Sequence, residues 1–350
     1  MFFKPVKKII LVTGGAGYIG SHTIIELLNA GYDVIAVDDF SNSTPEVYNR
    51  IFTITGKKVK HVDFNLCNRP AVIELFSNHK DIEGVIHFAA SKSVPESVHQ
   101  PGKYYYNNIN SLLNIIDACL QFNVRNLIFS SSCSVYGDIS SLPVKEDTPL
   151  GQATSPYAHT KQIGEMMIRD YCTAFPDFNS VSLRYFNPVG AHVSGLNGEL
   201  PLNAPANLAP VMVNVANGIT NELVVFGTDY DTRDGSCIRD YVHVSDIAVA
   251  HLKALEYLMQ QKNKLNYDVF NLGTGNGVSV LEAIASFETV NGIKINYRMG
   301  PRRTGDVVAI YSDTTKSKNI LGWVPELTLD DMMCSAWIWS KQLSKENNPA

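Results

Sequence analysis

The spacing of three glycines after the first apolar run constrains this 350-residue chain more than any other feature. Residues 8–13 (KIILVT) form a continuous apolar run, the pattern of a strand buried on both faces. TGGAGYIG follows at once and places Gly14, Gly17 and Gly20 where the chain must turn and open a helix. Glycine permits the tight turn and lets backbone N–H groups at the helix N-terminus approach a pyrophosphate. Residues 17–30 carry helical periodicity through Ile19, Ile24, Leu27 and Leu28, with Gly31 as the stop. A second strand over 33–37 ends at Asp38 and Asp39. A carboxylate at Asp38 can accept hydrogen bonds from adenosine ribose hydroxyls and repel a 2′-phosphate, which points to NAD rather than NADP.

The alternation continues down the chain. Strands are expected at 59–62, 84–88 (GVIHF), 126–131 and 181–184, and a long helix over 104–122. Ser155 is the expected N-cap, and Pro156 the first residue, of a helix running to about residue 175. This βαβ order implies an α/β fold with a doubly wound parallel sheet, the Rossmann architecture. Small residues after the fourth strand, Ala89 and Ala90 beside Phe88, leave room for a dinucleotide, and Asp63 after the third can meet the adenine. The texture changes after Asn187, where residues 188–210 are rich in Gly, Pro and Asn. A helix near 211–217, a strand at 223–226, a helix opening at Ser245, strands near 269–272 and 294–297, and a last helix over 329–343 follow. The expected division is a cofactor domain over 1–187 and a smaller mixed α/β substrate lobe over 188–350, with some segments returning to the first domain.

Composition narrows the function classes. Apolar residues make up 45% and charged residues 18%, as in ordinary globular proteins. A net charge of −5 without any Lys/Arg run gives no sign of nucleic-acid binding. The N-terminal MFFKPVKKIILVTGG resembles a signal peptide only superficially, since its short apolar run leads straight into the glycine motif. No stretch approaches the roughly 18 apolar residues that span a membrane, so a cytoplasmic protein is expected. None of the six cysteines forms a CxxC or lies at zinc-ligand spacing with histidine, so reduced thiols and no metal are expected.

Ser132, Tyr157 and Lys161 carry the chemistry. Tyr157 and Lys161 are four apart in SPYAHTK and so share a helix face. Ser132 lies in FSSSCSVYG, where an apolar strand ends in hydroxyls. A free tyrosine titrates near pH 10, and Lys161⁺ together with a positive nicotinamide ring would lower that value. Ser132 can hold a substrate oxygen or share its proton. The trio reads as a centre that moves a proton on a sugar or alcohol oxygen beside a hydride acceptor.

With TGGAGYIG, HFAA, YYNNIN, SSSCSVYG, SPYAHTKQIGE, LRYFNPVGAH, RDYVHVSD, YDVFNLGTG and PRRTGDVVA in place, the chain resembles the extended short-chain dehydrogenases/reductases, and within them the UDP-galactose (UDP-glucose) 4-epimerases, over roughly residues 8–340. The resemblance implies tightly held NAD, a UDP-sugar substrate, inversion at C4 through a 4-keto sugar, and a homodimer formed through the helices around 104–122 and 157–175. It maps Tyr18, Ile19, Asp38, Asp39, Phe40, Ser41, Asn42, Ser43, Asp63, Phe64, Phe88, Ala89, Ala90, Lys92, Asn107 and Phe186 to the cofactor. It maps Asn187, Asn207, Val224, Phe226, Arg239, Arg303, Asp306 and Ile310 to the nucleotide sugar, beside Ser132 and Tyr157. Related dehydratases carry an Asp-Glu pair where this chain has Cys133 and Ser134, which disfavours dehydration. The epimerases specific for unsubstituted sugars commonly place a tyrosine where this chain has Ile310. Isoleucine there leaves two possibilities open: an N-acetyl group at C2 is admitted, or selectivity is unchanged. An NAD-binding sensor and an alcohol dehydrogenase that releases NADH are the rivals from other classes.

Overall fold

Residues 8–139, 141–202, 205, 207–303 and 306–347 are described by the computed structural model; residues 1–7, where a signal-like segment was weighed, lie outside them. In chain order the elements are β1 (Ile9–Thr13), α1 (Tyr18–Asn29), β2 (Asp33–Asp38), α2 (Glu46–Thr55), β3 (Lys60–Asp63), α3 (Arg69–Asn78), β4 (Ile82–His87), α4 (Val94–His99), α5 (Pro101–Gln121), β5 (Asn126–Ser132), α6 (Pro156–Ala174), β6 (Asn179–Tyr185), β7 (Asn187–Val189), α7 (Leu208–Ala216), β8 (Leu223–Phe226), β9 (Ile238–Arg239), β10 (Tyr241–His243), α8 (Val244–Met259), β11 (Tyr267–Leu272), β12 (Val278–Ser279), α9 (Val280–Asn291), β13 (Tyr297–Gly300), β14 (Ala309–Ile310) and α10 (Leu329–Asn347).

Seven strands form a parallel sheet in the order β3-β2-β1-β4-β5-β6-β11. The order reverses at β1, which pairs with β2 on one side and β4 on the other. Ligands of doubly wound sheets bind at such a reversal, beyond the carboxyl ends of the strands. Leu11, Ile35, Val37, Val85, Leu127 and Phe129 are buried among α3, α5 and α6 residues, which explains the unbroken apolar runs.

Chain contacts divide the protein into two compact units. The first comprises Met1–Val135, Ser155–Leu183 and Ala248–Val269; the second comprises Tyr136–Thr154, Arg184–Ile247 and Phe270–Ala350. The second unit holds small sheets, β7 with β10, β8 with β13, and β12-β9-β14. Its core gathers Val189, Met212, Leu223, Tyr241, Phe287 and Met333.

Some expected boundaries move. The strand expected at 294–297 is β13, Tyr297–Gly300, paired in parallel with β8. Ile295, inside the expected range, packs instead into the second unit's core. Helix α5 starts at Pro101, before the expected residue 104, with proline in the first turn where its missing N–H costs nothing.

Candidate active site

Gly14 takes a left-handed φ of +68°, and a Cβ there would lie 2.8 Å from the Ala89 nitrogen. A Cβ at Gly20 would lie 2.2 Å from the Gly14 carbonyl oxygen. Glycine is therefore required at both positions, by backbone conformation and by close approach. Helix α1 opens at Tyr18 and Ile19 with Gly17 as N-cap, which supplies no side-chain acceptor. Backbone in this shape fits a dinucleotide pyrophosphate.

Asp38 ends β2 opposite Asp63 at the end of β3. Its carboxylate accepts from the Ala16 N–H at 3.0 Å, the Phe40 N–H at 3.0 Å and the Ser43 hydroxyl at 2.8 Å. A carboxylate offers about four lone-pair sites, so about one remains for a ligand hydroxyl. Burial pushes the Asp38 pKa up, against those three bonds. The turn carrying Asn42 is tight enough that Phe40 adopts a φ of 52°. Asp39 accepts from the Ser41 N–H and from Asn65, at 3.0 and 2.7 Å. Across the switch point, the Phe88 and Ala89 N–H groups bond Thr13 at 3.0 and 3.4 Å, fixing the backbone leading to Ala90. Phe64 packs on the core, Lys92 is exposed, and Asn107 is half-buried with its amide on Asn108 at 3.1 Å. Phe186 belongs to the second unit, where its N–H bonds Leu272 at 3.1 Å.

The proton-handling trio assembles within the first unit. Ser155 caps α6 by accepting from the Ala158 N–H at 3.2 Å, with Pro156 in the first turn, as expected. Gly164 lets α6 settle on β5, since a Cβ there would stand 2.7 Å from the Phe129 ring. Lys161 thereby reaches β5 and donates to the Ser130 carbonyl at 2.5 Å and hydroxyl at 3.3 Å. Its ammonium lies 4.8 Å from the Phe129 ring centroid and 5.9 Å from that of Tyr157. Ser132 accepts from the Ser134 N–H at 3.2 Å, and its hydroxyl acts to lower the Tyr157 pKa.

Electrostatics here correct one expectation. Burial pushes the Tyr157 pKa up to about 12, and the Ser132 hydroxyl is what opposes it. The Lys161 ammonium turns to Ser130, and the Tyr157 pKa stays above its ordinary value. Burial also pulls Lys161 down to about 7, and the charge on Glu165 works against that fall. Glu165 is buried and accepts from the Ser131 hydroxyl at 2.5 Å. Sequence reading missed it, although its place four residues beyond Lys161 in KQIGE was a usable signal.

In the second unit, Asp306 gathers two arginines. Arg303 Nη2 and Nε donate to it at 2.8 and 3.2 Å, and Arg239 Nη2 lies 3.5 Å away. Arg303 stands 5.6 Å from the ring centroid of exposed Phe226, beside half-buried Val224 on β8. Ile310 is buried and pairs with Arg239 in the β14–β9 register. The Asn187 N–H bonds the Asp240 carbonyl at 2.9 Å. Asn207 stands apart: it holds the N-cap position of α7 without a side-chain cap bond and bonds Glu199 at 3.4 Å, with no bond to the arginines among the described residues. A two-arginine cluster next to an exposed ring suits an anion carried on an aromatic base.

Residues 10–273 match the NAD dependent epimerase/dehydratase family. The chain is 46% identical over 340 residues to a UDP-glucose 4-epimerase of Haemophilus influenzae, covering 97% of this chain and 98% of that protein. It superposes on UDP-glucose 4-epimerase from Bifidobacterium longum, solved in complex with NAD+ and UDP, with a TM-score of 0.91 and 46% identity over 97% of this chain and 99% of that one. A second solved structure, UDP-glucose-4-epimerase from Stenotrophomonas maltophila with bound NAD and formylated UDP-arabinopyranose, gives a TM-score of 0.93 and 42% identity over 97% and 99% of the two chains.

Proposed function

Because the chain belongs to the NAD-dependent epimerase/dehydratase family, we propose that it interconverts UDP-galactose and UDP-glucose by inverting C4 through a 4-keto sugar. The observation that carries this reading is Lys161 held on Ser130 at the end of β5 with its ammonium 5.9 Å from the Tyr157 ring centroid, in the unit whose Gly14–Gly20 turn and Asp38 fit NAD. NAD, when bound, supplies the hydride acceptor and donor for C4. Tyr157 takes the proton of the sugar 4-hydroxyl and returns it once the keto sugar has turned over. Ser132 holds that oxygen, and Lys161 supplies positive charge and a donor for the nicotinamide ribose. Asp38, with the loop through Asp39, Phe40, Ser41, Asn42 and Ser43, holds the adenosine half. Arg239 and Arg303 hold the diphosphate, and Phe226 gives the uracil an apolar wall.

The test follows turnover and cofactor together. Purified enzyme should carry NAD, detected by mass, and convert UDP-galactose to UDP-glucose with no net NADH. Stoichiometric NADH release would indicate an alcohol dehydrogenase, and NAD binding without turnover a sensor.

A second reading concerns the C2 substituent. Isoleucine at position 310 offers less bulk than tyrosine and no hydroxyl, so the N-acetylated pair UDP-GalNAc and UDP-GlcNAc is accepted as well. Ile310→Tyr should suppress conversion of UDP-GalNAc by at least about tenfold, the scale on which apolar pockets discriminate, and spare UDP-galactose. Wild-type enzyme inert on UDP-GalNAc would end this reading.

The chain acts as a homodimer in this proposal. The support is apolar exposure on the helix group α4, α5 and α6 of the first unit: Val94 at 44%, Val98 at 57%, Tyr106 at 64% and Met166 at 42%. Six cysteines without a CxxC or a zinc-ligand spacing suit a reducing compartment such as the cytoplasm.

A further inference from the structure

Asp240 is fully buried in the second unit, and among the described residues no cation pairs with it. Its carboxylate instead collects five donors. Oδ1 accepts from the Thr274 N–H and hydroxyl, both at 2.7 Å. Oδ2 accepts from the Gly275 N–H at 3.2 Å, the Ser312 N–H at 3.0 Å and the Ser312 hydroxyl at 2.6 Å. A buried carboxylate is costly unless its lone pairs are filled, and here five bonds serve about four lone-pair sites. Gly273 admits the arrangement, because a Cβ there would stand 2.2 Å from Oδ2 and 2.3 Å from the Ser312 hydroxyl.

Three segments meet on this carboxylate. They are the β9–β10 junction, the turn after β11, and the residues just past β14. Each leads directly to the nucleotide-sugar residues. Arg239 precedes Asp240 in the chain. Ile310 lies two residues before Ser312 and faces Arg239 across the β14–β9 pair. Asn187 hangs on the Asp240 carbonyl through its own N–H at 2.9 Å.

We propose that Asp240 is a positioning residue for the uridine diphosphate end of the substrate, holding Arg239, Ile310 and Asn187 in one register through the Thr274, Gly275 and Ser312 bonds. The proposal rests on the UDP-sugar reading. Ser312 and Thr274 act through Asp240 and touch no ligand themselves. Asp240→Asn replaces one acceptor oxygen by an NH₂ group that faces existing donors, so one arm of the clamp opens with no change in volume.

The experiment measures equilibrium binding of UDP to the NAD-loaded enzyme, with bound NAD and melting temperature read on the same samples. Asp240→Asn should raise the Kd for UDP about tenfold, the low end for losing a hydrogen bond to a charged group, and Ser312→Ala and Thr274→Ala about threefold each, because both variants keep their backbone N–H bonds to the carboxylate. NAD content should stay at the wild-type level, and kcat should change less than KM. Should Asp240→Asn fail to fold, the two hydroxyl variants decide. Unchanged UDP affinity in the variants would overturn the role of Asp240 alone, while wild-type enzyme that binds no UDP would overturn the UDP-sugar reading with it. A joint fall in NAD content, melting temperature and UDP affinity would likewise overturn it, since that is the mark of a core hub.

Discussion

Tyr157→Phe should lower turnover of UDP-galactose by about 10²–10⁴-fold, the usual weight of a positioned acid/base group, while NAD still copurifies. Only one hydroxyl is lost, from the first turn of a capped helix whose Ser155 and Pro156 contacts do not involve it. The size of the effect follows from how the phenol is held. At a pKa of about 12 it is overwhelmingly protonated at neutral pH, and the protein offers Ser132 to oppose the burial. Phenolate therefore has to be favoured by charge arriving at the site, and the nicotinamide ring supplies a positive one. Ser132→Ala should then be the milder lesion, because it removes a helper and leaves the phenol. Assays of kcat with bound cofactor quantified by mass separate the outcomes, and a Tyr157→Phe enzyme of wild-type turnover would remove Tyr157 from the chemistry.

The cofactor half of this protein was readable because glycine spacing and strand ends are local. Gly14 and Gly20 make the tight turn that their spacing predicted, since the need for glycine there is set by atoms within the same turn and by Ala89 just past the adjacent strand. Tyr157 and Lys161 share a face because the helix between them obeys its period. Electrostatics did not follow from spacing. One turn of separation suggested that Lys161 supports the Tyr157 phenolate, but its reach is decided by Gly164, which drops α6 onto β5 and delivers the ammonium to Ser130. Helices α2, α3, α4 and α9 were also missed. The capping box of Ser279 with Glu282 on α9, and Asn68 accepting from Ala71 on α3, were legible signals once sought. Asp240 was hidden for a different reason. It sits inside a quoted motif beside the substrate-assigned Arg239, yet its partners lie 34 and 72 residues away, and nothing local announces a clamp closed over that distance.

Lys161→Met should cost turnover about as much as the loss of Tyr157, on the order of 10²–10⁴-fold, and it should also erase two opposite pH dependences. Burial holds the folded Lys161 pKa at about 7, whereas an unfolded lysine titrates near 10.4. In the role proposed for Lys161 the charged form is the active one, so activity falls as pH rises through the folded value. Stability moves the other way. Between the two values the unfolded chain binds the extra proton, so unfolding becomes less favourable as pH rises. A declining kcat alongside a rising melting temperature over the same alkaline window is therefore the signature of this lysine, and no exposed group gives both. Glu165 adds a lever, because its carboxylate raises the Lys161 pKa from four residues along α6 while Ser131 fixes it at 2.5 Å. Glu165→Gln keeps the shape and removes the charge, so the alkaline limb of kcat should shift to lower pH with the bound NAD retained. The expectation fails if the limb stays in place in both Glu165→Gln and Lys161→Met, which would assign it to another group.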